Sequence, residues 1–271
     1  MGPRIIACVN LKGGVGKTAI AVNFAAYCGR IGKRTLLIDL DPQTNATFSC
    51  MDTDKWEDHA KKNGTVADLL GAKRFTAAEG QKRDVQTVIV KGVFKNVDLI
   101  PSHLDLFTID LDLAAAIARE LKLRKAVAPV LDQYEIVVCD CPPNLTIPTQ
   151  NALALSSYYL VPISPDYLSG LGVGLLIGRV KQLSEDLQNP IKLVGIVISR
   201  VGRPAQHRAE TVEALRQAFG NSVFETQITE RVRVSEAAAK KRPIFEMGDL
   251  AASREFEAIS AAILERMGVK A

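Results

Sequence analysis

Two hydrophobic patterns alternate along the chain. Short, nearly continuous apolar runs of β-type residues fall at 4–10 (RIIACVN), 34–40 (RTLLIDL), 97–101, 135–139 (EIVVC), 158–163 (YYLVPI) and 192–199 (KLVGIVIS). Runs apolar on both faces, such as 34–40 up to its acidic end, suit strands of a parallel sheet covered on both sides. Between them apolar residues recur at helical spacing: Ala21, Phe24, Ala25 and Cys28 mark 17–30 as a helix, and 114–131, 175–187, 209–219, 234–241 and 253–267 read the same way. The alternation predicts an α/β fold, with a mostly parallel sheet flanked by helices on both faces and right-handed crossovers.

The pattern weakens at about 49–95, which is polar, rich in charge and holds the only tryptophan, Trp56. It reads as an insertion on the surface of one domain spanning 1–271, with a cargo-contacting or regulatory region as the sharper reading. Composition changes this little: 47% apolar and 24% charged residues exclude disordered, collagen-like and coiled-coil chains. No uninterrupted apolar run approaches the ~18 residues of a spanning helix, and Ile6 stands where a myristoylation signal needs Ser or Thr. A soluble, cytoplasmic protein is expected. The five cysteines contain no C-x-x-C; Cys139 and Cys141 are either cluster ligands or, as favoured, small buried side chains at a strand end.

Charge becomes informative when it is placed. The net +4 lies within residues 200–242, which carry nine basic residues (Arg200, Arg203, Arg208, Arg216, Arg231, Arg233, Lys240, Lys241 and Arg242) against five acidic ones; the rest of the chain is balanced. Such clustering is the electrostatic footprint of phosphate-backbone binding, although solvated charge or nucleotide contact would give the same count.

The most specific chemistry lies between the first strand and the first helix, where 12–18 reads KGGVGKT. In the phosphate-binding pattern G-x-x-x-x-G-K-[ST], glycines let backbone amides converge on phosphates, the Lys neutralises them and the hydroxyl ligates Mg2+. Gly13, Gly14, Val15, Gly16, Lys17, Thr18 and Ala19 supply this cradle, but Leu11 replaces the first Gly and a second lysine, Lys12, appears. A second cation beside phosphates already met by Lys17 makes sense where charge develops during phosphoryl transfer, so Lys12 could act in trans.

The loop resembles the deviant Walker A motif of the ParA/MinD family of positioning ATPases. Residues 39–47 (DLDPQTNAT) are similar to the family's DLDPQGNAT, 137–144 (VVCDCPPN) to its Walker B segment, and Phe224-Glu225-Thr226-Gln227-Ile228 with Arg231, Val232, Arg233, Glu236 and Ala237 to its C-terminal block. The resemblance implies an ATPase in which Asp140 and Asp39 support Mg2+ with Thr18, and Asp41, with Lys12, promotes attack by water. It further implies an ATP-dependent homodimer that binds nucleoid DNA without sequence preference and is released when a ParB-like or other cargo-adaptor protein stimulates hydrolysis. Arg200, Arg203, Arg208, Arg231, Arg233, Lys240, Lys241 and Arg242 are the DNA-contact candidates. The cargo would be a plasmid, a chromosome or a protein assembly, and the location cytoplasmic and nucleoid-associated.

Ala19, Thr44, Asn144 and Thr229 depart from the family pattern, leaving nucleotide preference open. The rivals are a MinD-like membrane-cycling regulator and a metabolic or reductase-type ATPase. Phe256, Ile259, Ile263 and Met267 share one face of the last helix, but its polar face carries Glu255, Glu257 and Glu265, whereas an interfacial helix wants Lys and Arg. No stable membrane association is expected. The first strand at residue 4 leaves no room for a DNA-reading N-terminal helix-turn-helix.

Overall fold

The computed structural model describes residues 2–72, 83–166, 169–202 and 206–270. In chain order the elements are β1 (Arg4–Cys8), α1 (Lys17–Arg30), β2 (Thr35–Asp39), α2 (Asn45–Phe48), α3 (Thr53–Lys62), α4 (Val66–Leu70), α5 (Val85–Val88), β3 (Val90–Phe94), β4 (Val97–Ile100), α6 (Ile109–Asp112), α7 (Lys122–Val127), β5 (Ile136–Asp140), α8 (Ile147–Leu155), β6 (Tyr158–Ile163), α9 (Ser169–Asp186), β7 (Lys192–Ile198), α10 (Gln206–Phe219), α11 (Val232–Ala239) and α12 (Leu250–Arg266). The sheet order is β3-β4-β2-β5-β1-β6-β7, parallel throughout except for the antiparallel edge strand β3. This is the expected α/β sheet, and its strand order puts the carboxyl ends of β1, β2 and β5 side by side.

Successive strand side chains point to opposite faces, so one strand feeds two cores. Ile5, Ala7, Leu36, Ile38 and Val137 pack on the face covered by α4, α7, α8 and α9. Ile6, Cys8, Leu37 and Val138 pack on the face covered by α1 and α12. The apolar face of α12 is taken up here: Phe256, Ile259, Ile263 and Met267 are all buried. No helix among the described residues is long and apolar enough to cross a membrane.

Two expectations are corrected. The helix read across 114–131 is broken, with α7 as its only α-helical part and 3-10 turns on either side. Ala118 adopts a left-handed φ of 51°, and Pro129, which has no amide to donate, opens the following turn. The stretch 49–95 is built into the domain, apart from 73–82, which lie outside the described residues. It supplies β3, and Trp56, Val66, Ala67, Leu70, Val85 and Val88 are core residues. Its charges on α3 alternate with the buried Trp56 and Ala60, a pattern too short to stand out in a polar context.

Helix α1 approaches the β3–β4 turn so closely that a Cβ on Gly29 would lie 2.1 Å from the Lys95 carbonyl oxygen and 2.7 Å from Val97 Cγ2. Ala is the better helix former by ~1 kcal/mol, yet forcing a group into packed backbone costs about 1–3 kcal/mol or more. Gly29→Ala should therefore lower the thermal unfolding midpoint; an unchanged midpoint would mean that α1 can withdraw from the turn at no cost.

Candidate nucleotide site

The loop between β1 and α1 is held open for an anion. Gly14 and Gly16 have φ of 74° and 83°, the left-handed region in which glycine alone avoids strain. Gly16 is also the N-cap of α1 and brings no capping side chain, which leaves the first helical amides unsatisfied. Among the described residues, the amides of Gly13, Gly14, Val15, Gly16, Lys17 and Thr18 donate to no backbone acceptor. The loop is braced by its carbonyls instead: Ser199 Oγ donates to Val15 O at 2.5 Å and Arg200 Nη1 to Gly14 O at 2.6 Å. Free amides at a helix N-terminus, with the buried Lys17 ammonium held on Lys12 O at 3.0 Å, form a phosphate cradle.

Beside the cradle stand the carboxylates. In the β2–β5 ladder Asp39 lies opposite Asp140, and both are fully buried. Asp39 is occupied within the protein: Oδ2 accepts from Thr47 N at 2.8 Å and Thr47 Oγ1 at 2.7 Å, and Oδ1 accepts from Asp41 N at 3.1 Å. Burial still pushes its carboxyl up to about 7, against the pull of the Thr47 bonds. Neither oxygen of Asp140 finds a hydrogen-bond partner among the described residues. Burial first, and then the charge of Asp39, raise it well above the usual carboxylate range, opposed by the neighbouring Thr18 hydroxyl and Lys17. The two carboxylates thus differ: Asp39 accepts from the turn containing Thr47, while Asp140 is left unpartnered among the described residues.

An orphaned buried carboxylate near a threonine hydroxyl fits one divalent ion whose other ligands are phosphate oxygens and water, the usual habit of Mg2+. Among the described residues no group of three or more His, Cys, Asp or Glu side chains could hold a metal, so the protein offers no self-sufficient cage. Cys8, Cys139 and Cys141 are buried thiols; burial pushes Cys139 up to about 12 and raises Cys8 and Cys141 well above the usual thiol range. This favours the packing reading of the C-x-C pair.

A cavity of about 660 Å3 runs from Gly13, Gly14 and Gly16 past Lys17, Thr18, Ala19 and Asp41 to a wall formed by Ile228, Thr229, Arg231, Val234, Ala238 and Phe256. Its phosphate-binding end and its apolar end together suit a nucleotide. Asp41 lines the cavity, and its Oδ1 accepts from Gln43 N at 2.9 Å. Thr44, where the resembled motif has glycine, carries a left-handed φ of 57°, an uncommon conformation for a β-branched residue. Thr229, in place of proline, donates its amide and its hydroxyl to Glu255 at 2.9 and 2.8 Å, which proline could not do.

The remaining candidates separate. Lys12 does not line this cavity; its half-exposed ammonium pairs with Asp166 at 2.5 Å. Arg200, Arg231 and Arg242 line the cavity wall, the first two paired with Glu230 and Glu255 at 2.5 and 2.9 Å. Arg233 pairs with Glu236, Lys241 with Asp52, and Arg208 acts electrostatically on Asp166. Lys240 is exposed, and Arg203 lies outside the described residues. The basic segment is thus not one uniform stripe, because part of it builds the nucleotide pocket. Sequence reasoning missed Ser199, Ser102 and Asp166, whose contacts leave no local signal, while Thr47 lies inside the 39–47 motif only eight residues from Asp39.

Loop, orphaned carboxylate and sheet together define a phosphate-loop nucleotide-binding α/β protein. A family model described as "AAA domain" matches residues 3–193. The chain is 32% identical over 266 residues to the chromosome-partitioning ATPase Soj of Treponema pallidum, covering 98% of each chain. Two solved structures share the fold. McdA of Cyanothece, as an aspartate-to-alanine variant with ATP, superposes with a TM-score of 0.80 at 18% identity, covering 100% of this chain and 98% of that one. Cobyrinic acid a,c-diamide synthase of Mycobacterium smegmatis, with an ATP analogue and magnesium, gives 0.78 at 23% identity, covering 98% and 96%. The chain belongs to the ParA/MinD family of ATPases.

A carboxyl whose folded-state pKa is raised stabilises the fold below its unfolded value of ~4, and that contribution is lost as pH rises through the folded value. The Asp39 carboxyl sits at about 7 and Asp140 is raised as well. The nucleotide-free protein should therefore lose thermal stability relative to Asp140→Asn between pH 5 and pH 8, as read by unfolding midpoints. Parallel curves would show that Asp140 carries no such burden.

Proposed function

We propose that this protein is a ParA-like positioning ATPase that closes on ATP and Mg2+ as a homodimer, binds nucleoid DNA without sequence preference and is released when a cargo-bound adaptor stimulates hydrolysis. The observation that carries this reading is the division of labour between the loop lysines. Lys17 is buried in the cradle, whereas Lys12 reaches outward to Asp166 and is available to a second copy. Thr18 and Asp140 would hold the magnesium ion, which when bound supplies charge neutralisation at the phosphates. The amides of the loop orient the nucleotide, Lys17 meets its phosphates, and Asp41 holds the attacking water. Lys12 from the second copy meets the charge that develops, an effect worth ~10³–10⁵ in rate for cations supplied this way.

The chromosome-partitioning name of the Treponema relative supports a DNA-linked role. We assign the DNA grip to the exposed Arg233 and Lys240, with Arg203 and Arg208 as further contacts, duplicated by dimerisation. The cargo is a plasmid, a chromosome or a protein assembly reached through a ParB-like or other adaptor, and the protein works in the cytoplasm on the nucleoid. The membrane-cycling alternative is disfavoured because the apolar face of α12 is already buried against the fold.

Asp41→Ala should retain the ATP-bound dimer but block hydrolysis, leaving protein on DNA that ADP-bound wild type releases; continued hydrolysis in this variant would overturn the role of Asp41. Several phosphate contacts per protomer, doubled in the dimer, predict that log affinity for DNA falls with log salt at a slope of about −5 or steeper. Nucleotide-independent or salt-insensitive binding would count against the DNA reading. Lys12→Ala should abolish stimulated turnover while leaving monomeric ATP binding nearly intact, and normal stimulated turnover would exclude action in trans.

A further inference from the structure

Behind the cavity, four buried side chains form one hydrogen-bonded chain. Thr47 Oγ1 donates to Asp39 Oδ2 at 2.7 Å and accepts from Ser102 N at 2.9 Å. Ser102 Oγ donates to the main-chain oxygen of Asp41 at 2.6 Å, and Trp56 Nε1 donates to the Ser102 carbonyl at 2.9 Å. Asp39, Thr47 and Ser102 are fully buried and Trp56 nearly so.

This chain stands where the sheet stops. Strand β2 pairs with β4 only as far as Ile38 opposite Ile100, and with β5 as far as Asp39 opposite Asp140, extended by one bond from Leu40 N to Asp140 O at 2.9 Å. Asp41 lies beyond the last ladder bond. Its backbone is held from outside the ladder: its N–H donates to Asp39 Oδ1 at 3.1 Å, and its C=O accepts from Thr44 N at 2.9 Å and from the Ser102 hydroxyl. With Gln43 N on Oδ1 as well, Oδ2 accepts no hydrogen bond from a described residue, while Asp41 lines the cavity.

We infer that Ser102 is a positioning residue for hydrolysis: its hydroxyl ties the Asp41–Thr44 turn to the segment beyond β4, where no ladder bond reaches, and holds the Asp41 peptide so that the carboxylate is presented to the cavity. Thr47 and Trp56 hold Ser102 in turn, so a residue just beyond β4 that does not line the cavity sets the aim of the hydrolytic group. The inference rests on the reading of Asp41 as the residue that holds the attacking water.

The hydroxyl is small and its removal leaves the core side chains in place, so Ser102→Ala should fold. A misplacement of ~1 Å at a reacting group can cost ~100-fold in rate, and loosening one of three backbone anchors should cost less, about tenfold. In single-turnover hydrolysis at saturating Mg-ATP, Ser102→Ala should be about tenfold slower, with ATP affinity within twofold of wild type and the ATP-dependent dimer retained. Ser102→Thr, which keeps the hydroxyl, should recover most of the rate. A rate within twofold of wild type in Ser102→Ala, an equal loss of ATP affinity and rate, or no recovery in Ser102→Thr would each overturn the inference. Asp41→Asn, assayed alongside, separates the two readings. If it hydrolyses normally, the role of Asp41 itself fails; if it is inactive while Ser102→Ala is normal, only the role of Ser102 fails.

Discussion

The parallel register of β2 against β5 forces two carboxylates, Asp39 and Asp140, into neighbouring buried positions at the carboxyl edge of the sheet. Two such groups cannot both ionise cheaply in a dry site, since burial and mutual repulsion each favour the neutral form. The protein resolves half of the problem internally by giving Asp39 three hydrogen bonds from Thr47 and Asp41. Asp140 receives none, and the nearest positive groups are the Lys17 ammonium and the helix N-terminus of the phosphate loop. The site is electrostatically incomplete by itself. A ligand that brings phosphates together with a divalent cation answers both the free amides and the free carboxylate, so ligand binding and fold stability are coupled.

The same constraint explains how the second half of the chain is used. Just beyond β7, Ser199 and Arg200 hold two carbonyls of the phosphate loop. Residues 228–231 then close the far side of the cavity, with Thr229 and Arg231 anchored on Glu255 of α12. Basic residues that count toward one net charge therefore do different work. Some shape the pocket, and others stay on the surface where a large anion could reach them.

Much was legible beforehand because it is local. The strand runs and the helix at 17–30 follow from hydrophobic period, and KGGVGKT declares its chemistry through residue type and spacing alone. What failed was also instructive. The helix read across 114–131 ignored a left-handed Ala118 and the missing amide of Pro129. The stretch 49–95 looked peripheral because its charged residues outnumber its buried ones, yet Trp56 lies in the core and reaches Ser102.

The sequence by itself determined the class of fold, the position of the phosphate loop and the set of acidic residues near it, because each depends on neighbours within a few positions. Only the tertiary structure decided which carboxylate is satisfied and which is left open, which arginines belong to the pocket, and that Ser102 and Thr47 stand behind Asp41. Those outcomes depend on strand order and register between segments as far as 186 residues apart. Hydrogen-bond partners at that separation leave no periodicity in the chain from which they could be read.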